Sequence, residues 1–334
     1  MRAQPLRCVV GLVACSFLVL CCFSSALASE EKGYRGSFTT LGVGVETVTY
    51  QEKTRLRDGN PVETDTTLVN VVQRSAGYTG VSERFGFYLE TLSSLSTGTD
   101  QEEWDHSVAG IIQTNEMKVQ TSEFNLLGAY HVRPGHMVTA GLDVFSLNFT
   151  RSDVRTSNQV QNAALGAVSE DSFSFVAELG YRYDSSFVRP KQSLGYHLGA
   201  KASFPIFYKV YNSGSAELQR QVDASGNYIY QTGHNAADGH VDADGYLTDG
   251  VYEEDHYVTE IVHSDPVDLE KFGGGGYGLG ADAGVTWRLN DKFSLHASVE
   301  FVHKWRDELK ENNYTLPEVT VTIVRGLGGL VWNF

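Results

Sequence analysis

Beyond residue 28 the chain has no cysteine: Cys8, Cys15, Cys21 and Cys22 all lie near its start. That absence excludes a disulfide framework and a cysteine-ligated metal from the remainder. Nor is there a long apolar run after Phe23, so no segment beyond it suits a membrane-spanning helix. If this chain crosses a bilayer, it must do so as a closed barrel, the other structure that pairs every backbone polar group in lipid. Basic residues are scarce, 26 Lys and Arg against 41 Asp and Glu, and the formal net charge is −15. A surplus of that sign repels phosphates and argues against a nucleic-acid partner. Also missing are a Ser-His-Asp spacing, a phosphate-cradling glycine loop and a zinc signature. Residues 273–276, four glycines in a row, read as a strand start or hinge. What is plentiful is Gly (34), Phe (17) and Tyr (17), a composition pointing to β-structure.

The amino terminus is basic (Arg2, Arg7), then apolar over residues 8–23, then reads Ser24-Ser25-Ala26-Leu27-Ala28-Ser29. This is the pattern of a secretory signal peptide, with cleavage expected after Ala28. Residues 1–28 are therefore expected to be a leader and residues 29–334 a single unit. A membrane anchor would need about 20 apolar residues. Lipoprotein processing at Leu12-Val13-Ala14-Cys15 would leave an apolar stretch behind Cys15.

The rest is dominated by alternation of period two, the signature of strands with two different faces. Phe173, Phe175, Ala177, Leu179 and Tyr181 oppose Ser174, Glu178, Gly180 and Arg182. Leu194, Tyr196, Leu198, Ala200 and Phe204 oppose Gly195, His197, Lys201 and Ser203. Tyr277, Leu279, Ala283, Val285 and Trp287 oppose Gly278, Asp282 and Arg288, and Phe293, Leu295, Val299 and Phe301 oppose His296, Glu300 and Lys304. Adding strands near residues 41–45, 67–78, 85–89, 124–130, 138–144 and 318–334 makes ten, with eight to twelve as the range. Short connections at 78–85, 133–136, 185–192 and 290–292 alternate with long polar ones at 51–65, 100–105, 151–170 and 213–270. Strands of about ten residues with that rhythm predict an all-β, up-and-down antiparallel transmembrane β-barrel. A soluble β-sandwich would carry Lys, Glu and Thr on the face where glycine recurs here. The face opposite the apolar one collects Glu46, Asp143, Glu178, Arg182, His197, Lys201, Asp282, Arg288, His296, Glu300, Lys304 and Arg325. In a barrel this narrow the expectation is an interior filled by mutually paired charges, the alternative being a narrow aqueous path.

The last stretch ends Leu330-Val331-Trp332-Asn333-Phe334, with Leu330, Trp332 and Phe334 on one face. It resembles the closing strand of bacterial outer-membrane β-barrel proteins. The resemblance implies residence in the bacterial outer membrane, contact with membrane lipid, and recognition of Phe334 by the barrel-assembly machinery.

Residues 213–270 hold thirteen acidic side chains and one basic one, Arg220. They are expected to form a long acidic extracellular loop able to attract cations or basic ligands. Within it, Asp242, Asp244 and Asp249 match part of a Ca²⁺-binding loop, but Val251 occupies the closing position. A turn is the expectation there, Ca²⁺ the alternative, and no other cofactor is implied. Asp100-Gln101-Glu102-Glu103-Trp104-Asp105 and Glu254-Asp255-His256-Tyr257 resemble the two acidic motifs of the omptin family of outer-membrane proteases. The resemblance implies His256 as general base, Glu254 as its orienting partner, and Asp100 with Glu102 as the water-binding pair. Glu102 and Glu254 stand where that family has Asp. The expectation is thus a barrel with a surface-structural or binding role and a closed or narrow lumen. An omptin-like endopeptidase acting at basic residues and a small channel are the alternatives.

Overall fold

The structure, a computed structural model, describes residues 36–55, 59–156, 167–189, 192–222, 256–263, 267–273, 275–311 and 314–334. Its strands are β1 (Ser37–Arg55), β2 (Pro61–Gly80), β3 (Phe85–Ser96), β4 (Asp100–His106), β5 (Gly110–Arg133), β6 (His136–Thr156) and β7 (Ala167–Asp184). They continue with β8 (Leu194–Val222), β9 (His256–His263), β10 (Val267–Phe272), β11 (Gly276–Arg288), β12 (Phe293–Arg306), β13 (Leu309–Glu311), β14 (Tyr314–Leu316) and β15 (Glu318–Asn333).

Neighbours in sequence pair antiparallel, and β1 closes the ring by pairing with β2 on one side and β15 on the other. β3 and β4 both lie between β2 and β5 and form one interrupted stave. β9, β10 and β11 all pair with β8 and form another. The described residues therefore make ten staves, in the predicted order, and leave no open edge along the ring. The small hairpin β13–β14 stands apart from it.

The first and last described residues, Gly36 and Phe334, and the short connections share one mouth. The Phe334 amide donates to the Ser37 carbonyl at 2.9 Å, and the turns at 81–84, 134–135 and 289–292 lie at the same end. Gly135 turns there with φ +76°, and a Cβ would meet the Asp184 carbonyl at 2.9 Å, so no other residue fits without strain. Short turns mark the periplasmic end of such barrels, which makes the opposite mouth extracellular.

The apolar face changes sides partway up the wall. On β1, Leu41, Val43 and Val45 point outward and are more than half exposed, whereas Val48 and Tyr50 point inward and are fully buried. On β6 the outward set is Val138 and Leu142, and the inward set is Phe145, Leu147 and Phe149. On β15, Leu330 and Trp332 face outward near the chain end while Val319, Val321 and Ile323 face inward farther up. The lower band is a lipid-facing belt, and the upper inward residues pack into one apolar core with Leu68, Met117, Val119 and Val302. Above the belt the outer face meets water, so the apolar set must turn inward.

This inversion corrects the loop boundaries expected from sequence. β1 runs to Arg55 and β2 begins at Pro61; β4 occupies the polar stretch at residues 100–106; β6 extends to Thr156 and β7 begins at Ala167. Residues 213–270 are not one loop either, because β8 continues to Val222 and pairs with His256–His263. The wall thus rises well beyond the belt. Asp242, Asp244, Asp249 and Glu254, with the expected leader, lie outside the described residues.

Candidate functional site

A connected network of ion pairs crosses the lumen. Arg325 on β15 has no exposed surface, and its side chain must find partners inside the protein. Its Nε donates to Glu46 on β1 at 2.9 Å, and its Nη1 and Nη2 donate to Glu123 on β5 at 3.1 and 3.0 Å. Nη1 also reaches Glu300 on β12 at 3.2 Å. From Glu300 the network passes to Lys201 on β8 (3.3 Å) and on to Glu178 on β7 (3.5 Å). From Glu123 it passes through Lys304 to Asp143 on β6, at 3.7 and 3.1 Å. Glu46 in turn accepts from Asn70 on β2 (3.0 Å), Ser94 on β3 (3.1 Å) and Thr121 on β5 (2.5 Å). Every stave except that of β11 contributes a side chain.

One layer nearer the periplasm, β11 joins in. Asp282 takes His197 Nε2 at 3.1 Å and lies 3.9 Å from Arg182, while Arg74 pairs with Glu90 at 2.5 Å. The His197 and His296 rings stack, centroids 5.2 Å apart. Beside them Tyr78 shares a 2.7 Å hydrogen bond with His131 and packs against Tyr88 and Phe187.

Above the apolar core lies a third layer. Arg151 grips Glu102 with two bonds, Nε to Oε2 at 2.5 Å and Nη2 to Oε1 at 2.8 Å, and pairs with Glu52 at 3.0 Å. Its guanidinium lies over Trp104 and Phe149, at 5.0 and 4.4 Å from the ring centres.

The twelve charged or histidine positions expected inside divide cleanly. Eleven belong to the two lower layers, and Arg288 instead binds Asp291 beside the turn that follows β11. Sequence reading missed Glu123, Glu90, Glu52 and Arg151. All four share the parity of inward neighbours on their own staves.

The omptin-like positions are placed differently from one another. Glu102 is fully buried and held by Arg151 and by the Asn115 amide at 2.7 Å, which leaves little of it to bind a water. Asp100 is exposed at the start of β4 and accepts from the Thr66 hydroxyl at 3.2 Å. His256 opens β9, its backbone paired with Val222. Going round the ring, four staves separate the β4 stave from the β9 stave in either direction, so the two stand on opposite walls. Among the described residues no group of three or more His, Cys, Asp or Glu side chains is placed to hold a metal ion.

Comparisons with known proteins agree on the architecture. A model described as "Family of unknown function (DUF5723)" matches residues 198–310. No curated protein matches. The outer membrane protease OmpT from Escherichia coli is similar over 92% of this chain and 100% of its own, with a TM-score of 0.54 at 9% identity. The transport unit of the autotransporter AIDA-I from Escherichia coli is similar over 88% and 90% (TM-score 0.35, 11% identity). The outer membrane protein OprG from Pseudomonas aeruginosa is similar over 91% and 99% (TM-score 0.32, 10% identity). At these identities the likeness is one of fold, and of these three the OmpT match is close enough to carry that argument. The chain has the fold of the bacterial outer-membrane β-barrels, and its belt of lipid-facing side chains seats it in that membrane.

Proposed function

We propose that this protein is a sealed barrel that works as a surface-structural or binding module on the extracellular side and conducts nothing through its lumen. One observation carries the reading. The network centred on Arg325 joins nine of the ten staves, and Glu46, Arg325 and, above them, Val48, Tyr50, Met117, Val119 and Ile323 have no exposed surface. A water-filled path past these side chains would leave them wetted. Planar-bilayer recording of the purified protein tests it: no stable conductance steps are expected, and steady openings would favour the small channel instead.

The binding role draws on the risen wall and on the thirteen acidic residues of 213–270, which attract cations and basic partners by long-range charge. Binding of a Lys- and Arg-rich peptide that weakens as salt rises is the expected result. Unchanged spectra on adding Ca²⁺ to a variant lacking Asp242, Asp244 and Asp249 would assign any cation effect to those carboxylates. The endopeptidase reading needs Asp100, Glu102, Glu254 and His256 to converge, and the Arg151 grip on Glu102 weighs against it. The assembly machinery is the partner proposed for Phe334, which is half exposed and stacks on Trp332 at 5.2 Å. Deleting Phe334 should abolish folded barrel in the membrane, read as loss of the heat-modifiable band.

A further inference from the structure

We infer that the periplasmic half of the lumen is a blind binding pocket for an organic anion with a flat apolar body, of the aromatic carboxylate class. Below the sealing network lies a cavity of about 830 Å³, open toward the mouth that holds Gly36 and Phe334. That volume is within the range of small-molecule sites, and its lining sets an aromatic patch against many polar and charged groups.

The wall is aromatic on one side. Phe38, Tyr88 and Phe187 line it, and Tyr78 backs them, its ring stacked on Phe38 with centroids 5.9 Å apart. Phe187 comes from the longest of the four connections at this mouth, which folds a single 3-10 turn (Ser185–Phe187) under the barrel rather than crossing by the shortest route. Its ring packs at 5.4 Å from Tyr78 and 5.2 Å from His131, so the connection narrows the mouth from one side.

The inner end carries both signs of charge, and its arginine donors are not all used. Arg74 and Arg182 line the cavity beside Glu90 and Asp184, and in each arginine the Nε is buried without an acceptor. Arg74 spends one Nη on Glu90, and Arg182 meets Asp282 only at 3.9 Å while lying 5.8 Å over the Tyr88 ring. Guanidinium groups of this kind take a carboxylate by parallel N–H donation, and Tyr88 is placed to cover an aromatic body held there. A neutral apolar guest would leave the arginine donors unused. The pocket needs the sealed reading only for its blind end, and the two fail separately, the one in bilayer current and the other in ligand titration.

The test uses the full chain in lipid nanodiscs, with 6-fluoro-2-naphthoate as probe and ¹⁹F line broadening as readout. Empty nanodiscs provide the lipid background. Saturable binding is expected, and 6-fluoro-2-naphthamide, which has no charge, should bind about tenfold more weakly or worse. Arg182→Gln should weaken the naphthoate by a similar factor. Phe187→Ala, which lies in a turn outside the belt and so leaves the barrel able to form, should weaken acid and amide alike. Naphthoate binding that matches empty nanodiscs, equal affinity for acid and amide, or full affinity in both variants would each overturn the proposal.

Discussion

The belt and the wall above it are built from the same strands and solve opposite problems. In the belt the outer face meets lipid, so Leu41, Val43 and Val45 point out and charge is confined to the lumen. In the upper wall the outer face meets water, so Val48, Tyr50, Leu147 and Ile323 point in and form an ordinary apolar core. Charge inside the belt is admissible only when paired, and the Arg325 network meets that condition with four carboxylate oxygens in reach of one guanidinium. Solvent, rather than strand propensity, decides which parity of a strand is apolar.

The strongest way to break the lower half is to remove its central cation. Arg325→Ala leaves Glu46 buried without a cation and Glu123 and Glu300 with Lys304 and Lys201 alone, and a loss of about 3–5 kcal/mol is expected in urea unfolding followed by heat-modifiable mobility. Next comes the outer face. Leu198→Arg, on a lipid-facing position of the belt, should destabilise by about 2–4 kcal/mol, whereas Thr150→Arg, exposed on the upper wall, should stay within about 0.5 kcal/mol. If the two cost the same, the belt has been drawn in the wrong place.

Smaller changes sharpen the contrast. Ile323→Val removes one methylene from the upper core and should cost about 0.5–1.5 kcal/mol by the same titration. Smaller still is Lys53→Ala, which breaks an exposed ion pair with Glu63 on the upper wall and should change stability by about 0.2–1 kcal/mol, with the difference fading in high salt. The contrast between Lys53 and Arg325 is the cleanest measure of what burial does to an ion pair.

Much of this molecule was legible in its sequence. Period-two alternation is a local property, so the ten staves, the lipid-facing parity of β7, β8, β11 and β12, and the aromatic foot at Trp332 and Phe334 could be read without a structure. So could most of the interior charges, because they share strands with clean outward alternation. Where the apolar parity inverts, the same reading saw polar loops, and β4 and the upper ends of β1, β2, β5, β6, β7 and β8 went unrecognised.

What only the tertiary structure decided is who pairs with whom across the lumen. Arg325 stands 202 positions from Glu123 and 279 from Glu46, and nothing local ties them together. Glu102 shows the same limit: its neighbours in sequence suggested a water-binding pair, and ring closure delivered Arg151 to it instead. A strand's own residues determine which way each side chain points. The curvature and stagger of the closed ring determine what it meets there.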